Sequence, residues 1–548
     1  MAYLMPNPPF PMMRPALTAE AMREADRVSI EEYGIPGFTL METAGRGAAE
    51  QIEQVFGAMA GKTAVCLCGK GNNGGDGFVV ARVLYARGAH VRVLALSAPD
   101  AMSDDAAHNW RLLEQLATHD TTGRLDLARF ESRDHLAAYQ NADLYVDALL
   151  GTGLASALRE PLHGLVAWLN AQPQPTAALD VPTGLHSDHG TVLGAAVRAD
   201  LTVTMGALKV GLLINDGPAR AGRTEVVEIG IPRFVIEQAQ ARPGCAWLPT
   251  DAAVAASLPR RQHDAHKYSV GMAMIVGGAR GLTGAPVMAS IAAARAGAGY
   301  VICACPQSIQ PILAAKMTEV TTLALPEASD GGLDLHSGLA VLKPRLEKAR
   351  ALLVGPGQGR HTGTQRFIRA LLQQTSLPTV IDADGLNALT ADPDLIARHA
   401  EGRWILTPHA GEFRRLADAD VDLTDRVGVA QHYAQRWQCV LILKGMPSVV
   451  GCPDGTVYVN ATGNPALATA GTGDVLAGLC AGFLAQGLTP VQAAVCALHL
   501  GGTAADHYAQ SHPPQTMMAM DLLDELPGVL KERFSLKRLW VTSHGAMN

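Results

Sequence analysis

The sequence predicts an α/β protein of two domains, each built on an open and mostly parallel sheet. Strand-like apolar runs alternate with helix-like segments along most of the chain, and these runs usually end at Gly, Asp or Pro. A length of 548 residues exceeds what one hydrophobic core can use and suits two or three domains. Repetition of strand, loop and helix predicts parallel strands with helices on both faces of each sheet.

The first domain is predicted over residues 18–240. It opens with the helix-like AEAMREADRVSIEEYG, and the apolar strand TAVCLC leads at once into the glycine loop GKGNNGGDG and the helix-like GFVVARVLYARG. Further strands are predicted at VRVLAL, DLYVDALLG, PTAALDVPTG, LTVTMG and TEVVEIG. Ligands of such sheets bind at the carboxyl ends of strands, so the glycine loop, Asp147 and Asp180 are expected to share one crevice.

The second domain is predicted over residues 250–530, after a proline-punctuated stretch that ends in PRRQHDAHKYS. Its strands are predicted at GMAMIVGG, YVICAC, ALLVGPG, PTVIDADG, WILTPHAGE, CVLILKG and PSVVGCPDGTVYV, and two long Ala-rich helices follow. Because no copy of the first half is visible in the second, the pattern favours two unrelated α/β domains over an internal duplication.

The composition narrows the classes of partner and compartment. A net charge of −7, with a basic run only at LKERFSLKRLW (interpreted as a solvated terminal helix), argues against nucleic acid as a partner. Apolar runs are too short to span a membrane, and the prolines of MAYLMPNPPFPMMRP interrupt any signal-peptide core. The nine cysteines are scattered without metal-ligand spacing, which indicates a reducing compartment, so a cytoplasmic location is expected.

The stretch GNPALATAGTGDVLAG, residues 463–478, predicts an anion site. Its glycines leave backbone N–H groups uncovered at the start of a helix-like segment, where a helix end adds partial positive charge. Asp474 would repel a phosphate, so its position makes chemical sense if it faces the neighbouring reactant and takes a proton from it. The alternative is an ordinary helix N-terminus with an acidic first turn.

The motifs ILTPHAGEFRRL, LILKG and NPALATAGTGDVLAG occur in an order that resembles the C-terminal end of the ribokinase-like α/β/α fold. In that fold Gly471, Thr472 and Gly473 would form the anion hole. Upstream, HDAHKYSVGMAMIVGG, GLTGAP, VGPGQG and VIDADGLNAL extend the match over about 260–505. The whole segment resembles the ADP- or ATP-dependent NAD(P)H-hydrate dehydratases, a ribokinase-like branch.

The resemblance implies a set of site residues in the second domain. Asp474 would remove the proton of the substrate hydroxyl, and phosphoryl transfer would turn that hydroxyl into a good leaving group. Ser448 stands where the family often has Thr, and both offer a hydroxyl. The hydrated dinucleotide would contact Ala285, Gly357, His409 and Asp474, and the adenine nucleotide, ADP or ATP with Mg²⁺, would contact Lys444, Gly445, Met446, Pro447, Ser448 and Gly473.

Several of these positions also have ordinary structural explanations. His409 alone is typical of a strand-end histidine with a hydrogen-bonded ring, and Lys444 of a lysine in solvent at a strand terminus. Glu412 is either a first-turn helix acid or a ligand that holds Mg²⁺ near the phosphates. Asp382 and Asp384 could cap the helix predicted at GLNAL.

In the first half, LMETAG, GKGNNGGDGFVVAR, VDALLGTGL and ALDVPTGLHSDHG resemble the NAD(P)H-hydrate epimerases over about 18–235, which implies a Rossmann-like doubly wound sheet. Asp180 is the candidate acid/base, with a turn-forming aspartate as the alternative. Lys209 in GALKVGL is a weak candidate for its partner. By resemblance Asn73, Asp147 and Thr183 would hold K⁺, and the dinucleotide would be lined by Asn72, Asn73, Gly74, Gly75, Asp76, Gly151, Thr152, Gly153, Leu154, Ala155, Ser156, Ala157 and Asp180.

Together the two resemblances imply a bifunctional repair enzyme. The first domain would epimerise the R and S hydrates of NADH and NADPH, and the second would dehydrate the S hydrate at the expense of ADP or ATP, ADP being usual in bacterial fusions. The alternatives are a ribokinase-like small-molecule kinase fused to a nucleotide-binding domain, and a non-catalytic nucleotide-binding module. Ala- and Gly-rich helices near 285–300 and 476–505 could pack between subunits, so a homo-oligomer is expected.

Overall fold

The structure is a computed structural model that describes residues 12–533. Two compact units emerge, an N-terminal unit of Arg14–Ala246 and a C-terminal unit that begins at Trp247 and also includes Met13. The proline-rich start and most of the basic run LKERFSLKRLW lie outside the described residues, and so does the terminal helix predicted there. Within the described range, no helix is both long and apolar enough to cross a membrane.

The N-terminal unit contains nine strands and seven α-helices among the described residues. The strands are β1 (Arg14–Leu17), β2 (Thr63–Cys68), β3 (His90–Ala95), β4 (Leu125–Arg129), β5 (Leu144–Ala148), β6 (Thr176–Leu179), β7 (Leu201–Met205), β8 (Leu208–Lys209) and β9 (Arg223–Val227). The helices are α1 (Ala19–Arg27), α2 (Gly37–Phe56), α3 (Asn72–Ala86), α4 (Asp104–His119), α5 (Leu162–Asn170), α6 (Gly217–Ala221) and α7 (Arg233–Gln240).

Seven of these strands form a parallel sheet in the order β4-β3-β2-β5-β6-β7-β9. The chain adds β3 and β4 on one side of β2 and then reverses to add β5, β6, β7 and β9 on the other, which makes β2/β5 the switch point. The predicted doubly wound α/β class is confirmed, and all six strands predicted in this half are present. The sequence analysis missed β1, β4 and β8.

The glycine motif after β2 is not the loop that the sequence predicts, because α3 already begins at Asn72. A Cβ at Gly74 would lie 2.0 Å from the carbonyl oxygen of Gly69, and one at Gly77 would lie 2.5 Å from the Cβ of Ala148. The glycines therefore let the first turns of α3 pack directly on the strand ends. They serve close packing more than flexibility.

The C-terminal unit has its own sheet, with the chain entering through β10 (Ala246–Leu248). The strands are β11 (Met272–Val276), β12 (Tyr300–Pro306), β13 (Thr321–Leu325), β14 (Ala351–Val354), β15 (Thr379–Ile381), β16 (Trp404–Leu406), β17 (Val440–Leu443), β18 (Ser448–Gly451) and β19 (Val457–Asn460). The helices are α8 (Asp251–Ser257), α9 (Lys267–Val270), α10 (Gly284–Arg295), α11 (Gln310–Lys316), α12 (Leu335–Leu346), α13 (Thr362–Gln374), α14 (Asp384–Leu389), α15 (Asp394–His399), α16 (Ala410–Leu416), α17 (Arg426–Trp437), α18 (Thr472–Ala485), α19 (Pro490–Ser511) and α20 (Asp521–Arg533).

The strand order β13-β12-β11-β14-β15-β16-β17 is parallel, and β18 and β19 continue the sheet antiparallel. Alternate residues of β11 enter different cores: Ala273 and Ile275 on one face, Met272, Met274 and Val276 on the other. Helices therefore cover both faces, as a parallel sheet requires. The predicted strands and the two Ala-rich helices are confirmed, except that PSVVGCPDGTVYV forms two strands, β18 and β19, and that β10 and β13 were missed.

The small residues near 285–300 and 476–505 are largely used inside the unit. A Cβ at Gly478 would lie 2.2 Å from the carbonyl oxygen of Ala289, and one at Gly482 would lie 2.5 Å from that of Ala293, so α18 packs tightly on α10. All nine cysteines are buried free thiols. Burial keeps them protonated, as the raised pKa of Cys66 at about 12 illustrates.

Candidate active sites

Asp180 follows β6 and forms an ion pair with Lys209, whose Nζ lies 2.5 Å from Asp180 Oδ1. Lys209 is 1% exposed and Asp180 15%. Asp180 has a left-handed backbone conformation, with φ of 64°, which is uncommon outside glycine and tends to occur at functional sites. The sequence offered Lys209 only as a weak partner, and the structure brings the two together.

The ammonium of Lys209 uses all of its donor capacity within the N-terminal unit. Besides Asp180, it donates to Thr204 Oγ1 at 3.0 Å and to the carbonyl oxygen of Met205 at 2.7 Å. An ammonium carries three N–H donors, so each has a partner. Lys209 is therefore held in place by three contacts, and it orients the carboxyl group of Asp180.

Asp147 and Thr183 lie together at the ends of neighbouring strands. Asp147 is buried and accepts hydrogen bonds from Thr183 N at 2.8 Å and Thr183 Oγ1 at 2.7 Å. Burial raises the pKa of Asp147 to about 6. Asn73 is also buried, and both polar atoms of its side-chain amide lack a partner among the described residues.

A cavity of about 480 Å³ opens at the switch point of the N-terminal sheet. Its walls include Asp180, Lys209 and residues of the predicted dinucleotide set: Asn72, Asn73, Asp76, Gly151, Thr152, Gly153 and Leu154. Gly74 and Gly75 are buried in the packed first turn of α3. Ala155, Ser156 and Ala157 are exposed beyond the cavity wall.

Three further carboxyl groups line this cavity, Asp26 from α1, Asp76 from α3 and Asp105 from α4. Burial, with the charge of Asp180 adding to it, raises the pKa of Asp26 to about 6 and holds that of Asp76 well above its usual range. The sequence analysis placed Asp76 only among the dinucleotide contacts and missed Asp26. The one feature of the sequence that could have indicated Asp26 is that it is a charged residue on a helix predicted to be amphipathic.

In the C-terminal unit Asp474 lies in the first turn of α18, whose N-cap is Gly471 with φ of 97°. Burial raises the pKa of Asp474 to about 7, with Asp382 adding to the effect and Lys444 opposing it. Lys444 Nζ lies 3.3 Å from the position that a Cβ would occupy at Gly473. An acid with a pKa near neutrality is suited to proton transfer at neutral pH.

Lys444 is paired with Asp382, and the solvent-lysine interpretation is wrong. Its Nζ donates to Asp382 Oδ1 at 2.9 Å, and Asp382 Oδ1 also accepts from Thr407 Oγ1 at 2.7 Å. Burial favours the neutral amine of Lys444, but the charges of Asp382 and Glu412 outweigh it, so its pKa is raised. Asp382 does not cap α14. The first residue of that helix, Asp384, accepts a hydrogen bond from Gly359 N at 2.7 Å.

His409 is the N-cap of α16, and its ring is hydrogen-bonded to the backbone as the structural alternative expected. Nδ1 accepts from Gly411 N at 3.0 Å and Glu412 N at 3.3 Å. The hydrogen bonding is reciprocal, since Glu412 Oε2 accepts a hydrogen bond from His409 N at 3.0 Å, which completes a capping box. Because Nδ1 is the acceptor, the neutral ring carries its proton on Nε2, which lies 3.6 Å from Glu412 Oε1.

The other predicted positions of this unit fall into two groups. Ala285 and Gly357 are adjacent, since a Cβ at Gly357 would lie 3.2 Å from that of Ala285. Lys444–Ser448 is a turn after β17 in which Gly445 N donates to Ser448 Oγ at 3.3 Å. Met446, 66% exposed, and Pro447 form the tip of that turn, joined by a cis peptide bond.

The fold and both sites define a two-domain α/β protein in which each domain has an aspartate close to a lysine, Asp180 after β6 and Asp474 in the first turn of α18. A family profile described as the YjeF-related protein N-terminus matches residues 37–211, and one described as NAD(P)H-hydrate dehydratase matches residues 273–528. These matches identify the C-terminal domain as ribokinase-like. The motifs that predicted the two families lie within the same halves.

Relatives that match over nearly their whole length also combine the two halves in one chain. The bifunctional NAD(P)H-hydrate repair enzyme of Salinibacter ruber is 56% identical over 95% of this chain and 97% of its own, and that of Moorella thermoacetica 42% identical over 94% and 96%. A crystal structure of the ADP/ATP-dependent NAD(P)H-hydrate dehydratase from Bacillus subtilis with ATP/Mg²⁺ shares 30% identity, covering 52% of this chain and 98% of that one, with a TM-score of 0.44.

The chain belongs to the bifunctional NAD(P)H-hydrate repair enzymes. It is thus an isomerase and a lyase in one polypeptide, and the predicted function in repair of hydrated NADH and NADPH is confirmed at the level of the family. The kinase alternative is not favoured, because it does not account for the N-terminal match.

Proposed function

We propose that residues 250–530 dehydrate the S hydrate of NADH or NADPH with Asp474 as the base, and that residues 18–240 interconvert the R and S hydrates with Asp180 as an acid/base group. The observation that carries the first half is the buried, raised-pKa carboxyl of Asp474 beside the Lys444–Asp382 pair. The observation that carries the second is the Asp180–Lys209 pair on the wall of the cavity.

In the dehydratase, Asp474 removes the proton of the substrate hydroxyl as its oxygen attacks the terminal phosphorus of the nucleotide. The N–H groups of Gly471, Thr472 and Gly473 stabilise the negative charge that develops on the transferred group. The phosphorylated oxygen then leaves as phosphate while the lone pair of the ring nitrogen assists, and loss of a ring proton restores the double bond. Lys444, fixed by Asp382, supplies positive charge at this helix start.

The nucleotide is placed at the Lys444–Ser448 turn and at Gly473, and the hydrated ring at Ala285, Gly357 and His409. We propose ADP as the physiological donor. Mg²⁺ would arrive bound to the nucleotide and offset phosphate charge. Glu412 could contribute to holding the ion through Oε1, which lies 3.6 Å from His409 Nε2, since its Oε2 already accepts the N-cap N–H.

The direct test supplies purified protein with enzymatically hydrated NADH, Mg²⁺ and either ADP or ATP, and follows the absorbance of reduced nicotinamide near 340 nm. Recovery of NADH with release of phosphate is expected, with the higher kcat/KM for ADP. A stable phosphorylated product without NADH would instead indicate a kinase. Pure R hydrate separates the two activities, because it is consumed only after epimerisation.

The epimerase cavity also has donors that suit K⁺. Carboxylate, hydroxyl and amide oxygens are hard ligands, and the buried amide of Asn73 without a partner among the described residues is the observation that fits an ion beside Asp147 and Thr183. When bound, K⁺ would supply a positive charge for the dinucleotide phosphates. Asp147 and Thr183 would orient it, and Asn73 would complete its shell.

A cytoplasmic location and a homo-oligomeric state complete the proposal. Nine free buried thiols support a reducing compartment. Light scattering of the purified chain tests the assembly, for which a molar mass that is a multiple of 57.5 kDa is expected. A monomer at micromolar concentration would contradict it.

A further inference from the structure

The epimerase cavity holds more carboxyl groups than its reaction has so far used. Four carboxyl groups line it, those of Asp26, Asp76, Asp105 and Asp180, and the cations on its wall are Lys209 and Arg23. With every carboxyl ionised, four negative charges would face two positive ones in a poorly solvated space. Carboxyls in this situation retain protons, as paired catalytic carboxyls do.

Lys209 cannot be the second acid of an epimerase. Its three N–H donors are taken by Asp180, Thr204 and Met205, and it is 1% exposed. Moving it toward a substrate would break all three contacts and leave Asp180 without its counter-charge. The missing group must therefore come from another wall of the cavity.

We propose that Asp26 is the second acid/base group of the hydrate epimerase and works opposite Asp180; this inference rests on the epimerase activity proposed above. Its carboxyl faces the cavity from α1 and makes no hydrogen bond or ion pair within residues 12–533. A carboxyl without a fixed partner is free to bond a substrate hydroxyl. Asp180, whose carboxyl group is oriented by Lys209, is the complementary group.

The reaction balances with these two groups. Asp26 donates its proton to the hydroxyl of the hydrated carbon, the C–O bond breaks, and water leaves while the lone pair of the ring nitrogen forms a C=N bond. A water molecule then adds to the opposite face of that carbon, the C=N electrons return to nitrogen, and Asp180 takes the proton lost by the attacking water. The substrate gains one proton from Asp26 and gives one proton to Asp180, and nothing is oxidised or reduced. In the reverse direction Asp180 is the acid and Asp26 the base.

The environment of Asp26 supports a group that both gives and takes protons. Burial raises its pKa to about 6, Asp180 adds to the rise and Lys209 opposes it. Asp76 is less suitable, because it is buried in the packed first turns of α3. The charged groups that face Asp26 across the cavity are Arg23 of α1, Asp76 of α3, Asp105 of α4, Asp180 after β6 and Lys209 of β8.

The test is Asp26→Asn in the full-length chain, assayed on separated R and S hydrates. We expect kcat for R–S interconversion to fall at least about 100-fold with KM nearly unchanged, as loss of a general acid predicts. Dehydration of the S hydrate by the same protein should stay normal, which reports a folded chain. Glu20→Gln, a change at an exposed carboxylate on the same helix, is the matched control and should leave both rates unchanged.

Chemical rescue separates a catalytic from a structural role. In Asp26→Ala, added formic acid should restore part of the epimerase rate in proportion to its protonated fraction, because the small acid can occupy the vacated space. Epimerisation by Asp26→Asn within threefold of the wild type, or no rescue of a slow Asp26→Ala, would overturn the inference. Absence of epimerisation in the wild type would instead refute the proposed function itself.

Discussion

The two domains use the same pair of residue types, a lysine and an aspartate, in opposite ways. In the N-terminal unit the candidate base Asp180 itself holds Lys209, at 2.5 Å. In the C-terminal unit Lys444 is held by a different carboxylate, Asp382, at 2.9 Å, and the candidate base Asp474 stands beside the pair. Asp180 is thus bonded directly to its lysine. Asp474 stands beside a lysine that is bonded to another carboxylate, and its pKa is raised to about 7.

The difference matches the chemistry that we propose for each aspartate. A base that acts once per phosphoryl transfer benefits from a pKa near that of the medium, because it then binds and releases a proton readily. A carboxylate that orients water on one face of a ring benefits from a fixed charge and a fixed position. Which carboxyl the lysine bonds to decides between the two.

The largest effect is expected for Asp474→Asn. Dehydration of the S hydrate should fall roughly 10³-fold, since the amide cannot take the hydroxyl proton, while binding of ADP is retained or strengthened by loss of a negative charge. Steady-state rates at 340 nm and calorimetric titration with ADP measure the two. Asp420→Asn, at an exposed aspartate of the same unit, is the control. Retained turnover would remove the assigned role of Asp474.

Replacing each lysine in turn shows how much each lysine–aspartate pair contributes to the free energy of unfolding. Lys209→Met leaves Asp180 without its counter-charge in a buried site and should lower the free energy of unfolding by about 3–5 kcal/mol. Lys444→Met should cost less, because the side chain of Lys444 is 20% exposed and Asp382 keeps its bond from Thr407. Urea unfolding of both variants gives the two values.

Adding Asp180→Asn to Lys209→Met should recover part of the loss, since the stranded charge is then gone. Equal losses of unfolding free energy for the two lysine replacements would show that the two pairs do not differ in their contribution to stability. A double variant no more stable than Lys209→Met would show that packing of the lysine stem, and not its charge, is what the N-terminal unit loses.

The third prediction concerns pH. Because Asp474 must be ionised to act, the dehydratase rate should rise with pH up to about 7. Asp382→Asn removes a negative charge that raises this pKa and frees Lys444 to pair with Asp474, so the midpoint should move to lower pH. A pH–rate profile of kcat for both proteins tests it, and an unmoved midpoint would exclude this electrostatic coupling.

The raised pKa also fixes the sign of a stability effect. The unfolded carboxyl of Asp474 loses its proton near its ordinary pKa of 3.8, but the folded one only near 7, so the folded state binds more protons between these values. Stability contributed by this group is therefore present below about 4 and lost as pH rises toward 7. In Asp474→Asn that slope should be absent from unfolding midpoints measured over this range.

The smallest effect is expected from K⁺ at the N-terminal site. At ten times its Kd the ion should stabilise the chain by about 1.4 kcal/mol, by binding only the folded state. The gain should increase as pH rises through about 6, where Asp147 becomes a carboxylate. Thermal unfolding in K⁺ against Na⁺ at equal ionic strength measures it, and Asn73→Ala should abolish the difference.

Much of the fold follows from local pattern. The runs TAVCLC, LYVDA and MAMIV are recognisable as buried parallel strands because most of their residues are apolar, on both faces of the sheet. Short edge strands such as β4 (LDLAR) and β13 (TTLAL) were not predicted, since their mixed composition resembles that of a loop. The start of α3 at Asn72 was not predicted either, because a glycine-rich sequence in a close-packed helix cannot be distinguished by local pattern from a flexible loop.

The candidate site divides in the same way. Asp474 and Asp180 could be selected from their motifs, because those motifs are continuous in sequence. Asp26 could not, since it lies 154 positions before Asp180 on a helix of ordinary appearance. Nor could the sequence assign Lys444 to Asp382, its partner 62 positions away.

The sequence by itself determined the α/β class, the two-domain division, the family and the identity of the motif aspartates, because apolar periodicity and contiguous motifs are local properties of the chain. Only the tertiary structure decided which carboxyl each lysine bonds to, which carboxyls share one cavity and how far their pKa values move. Those quantities depend on burial and on distances through space, and Coulomb energy and desolvation respond to these and not to separation along the chain.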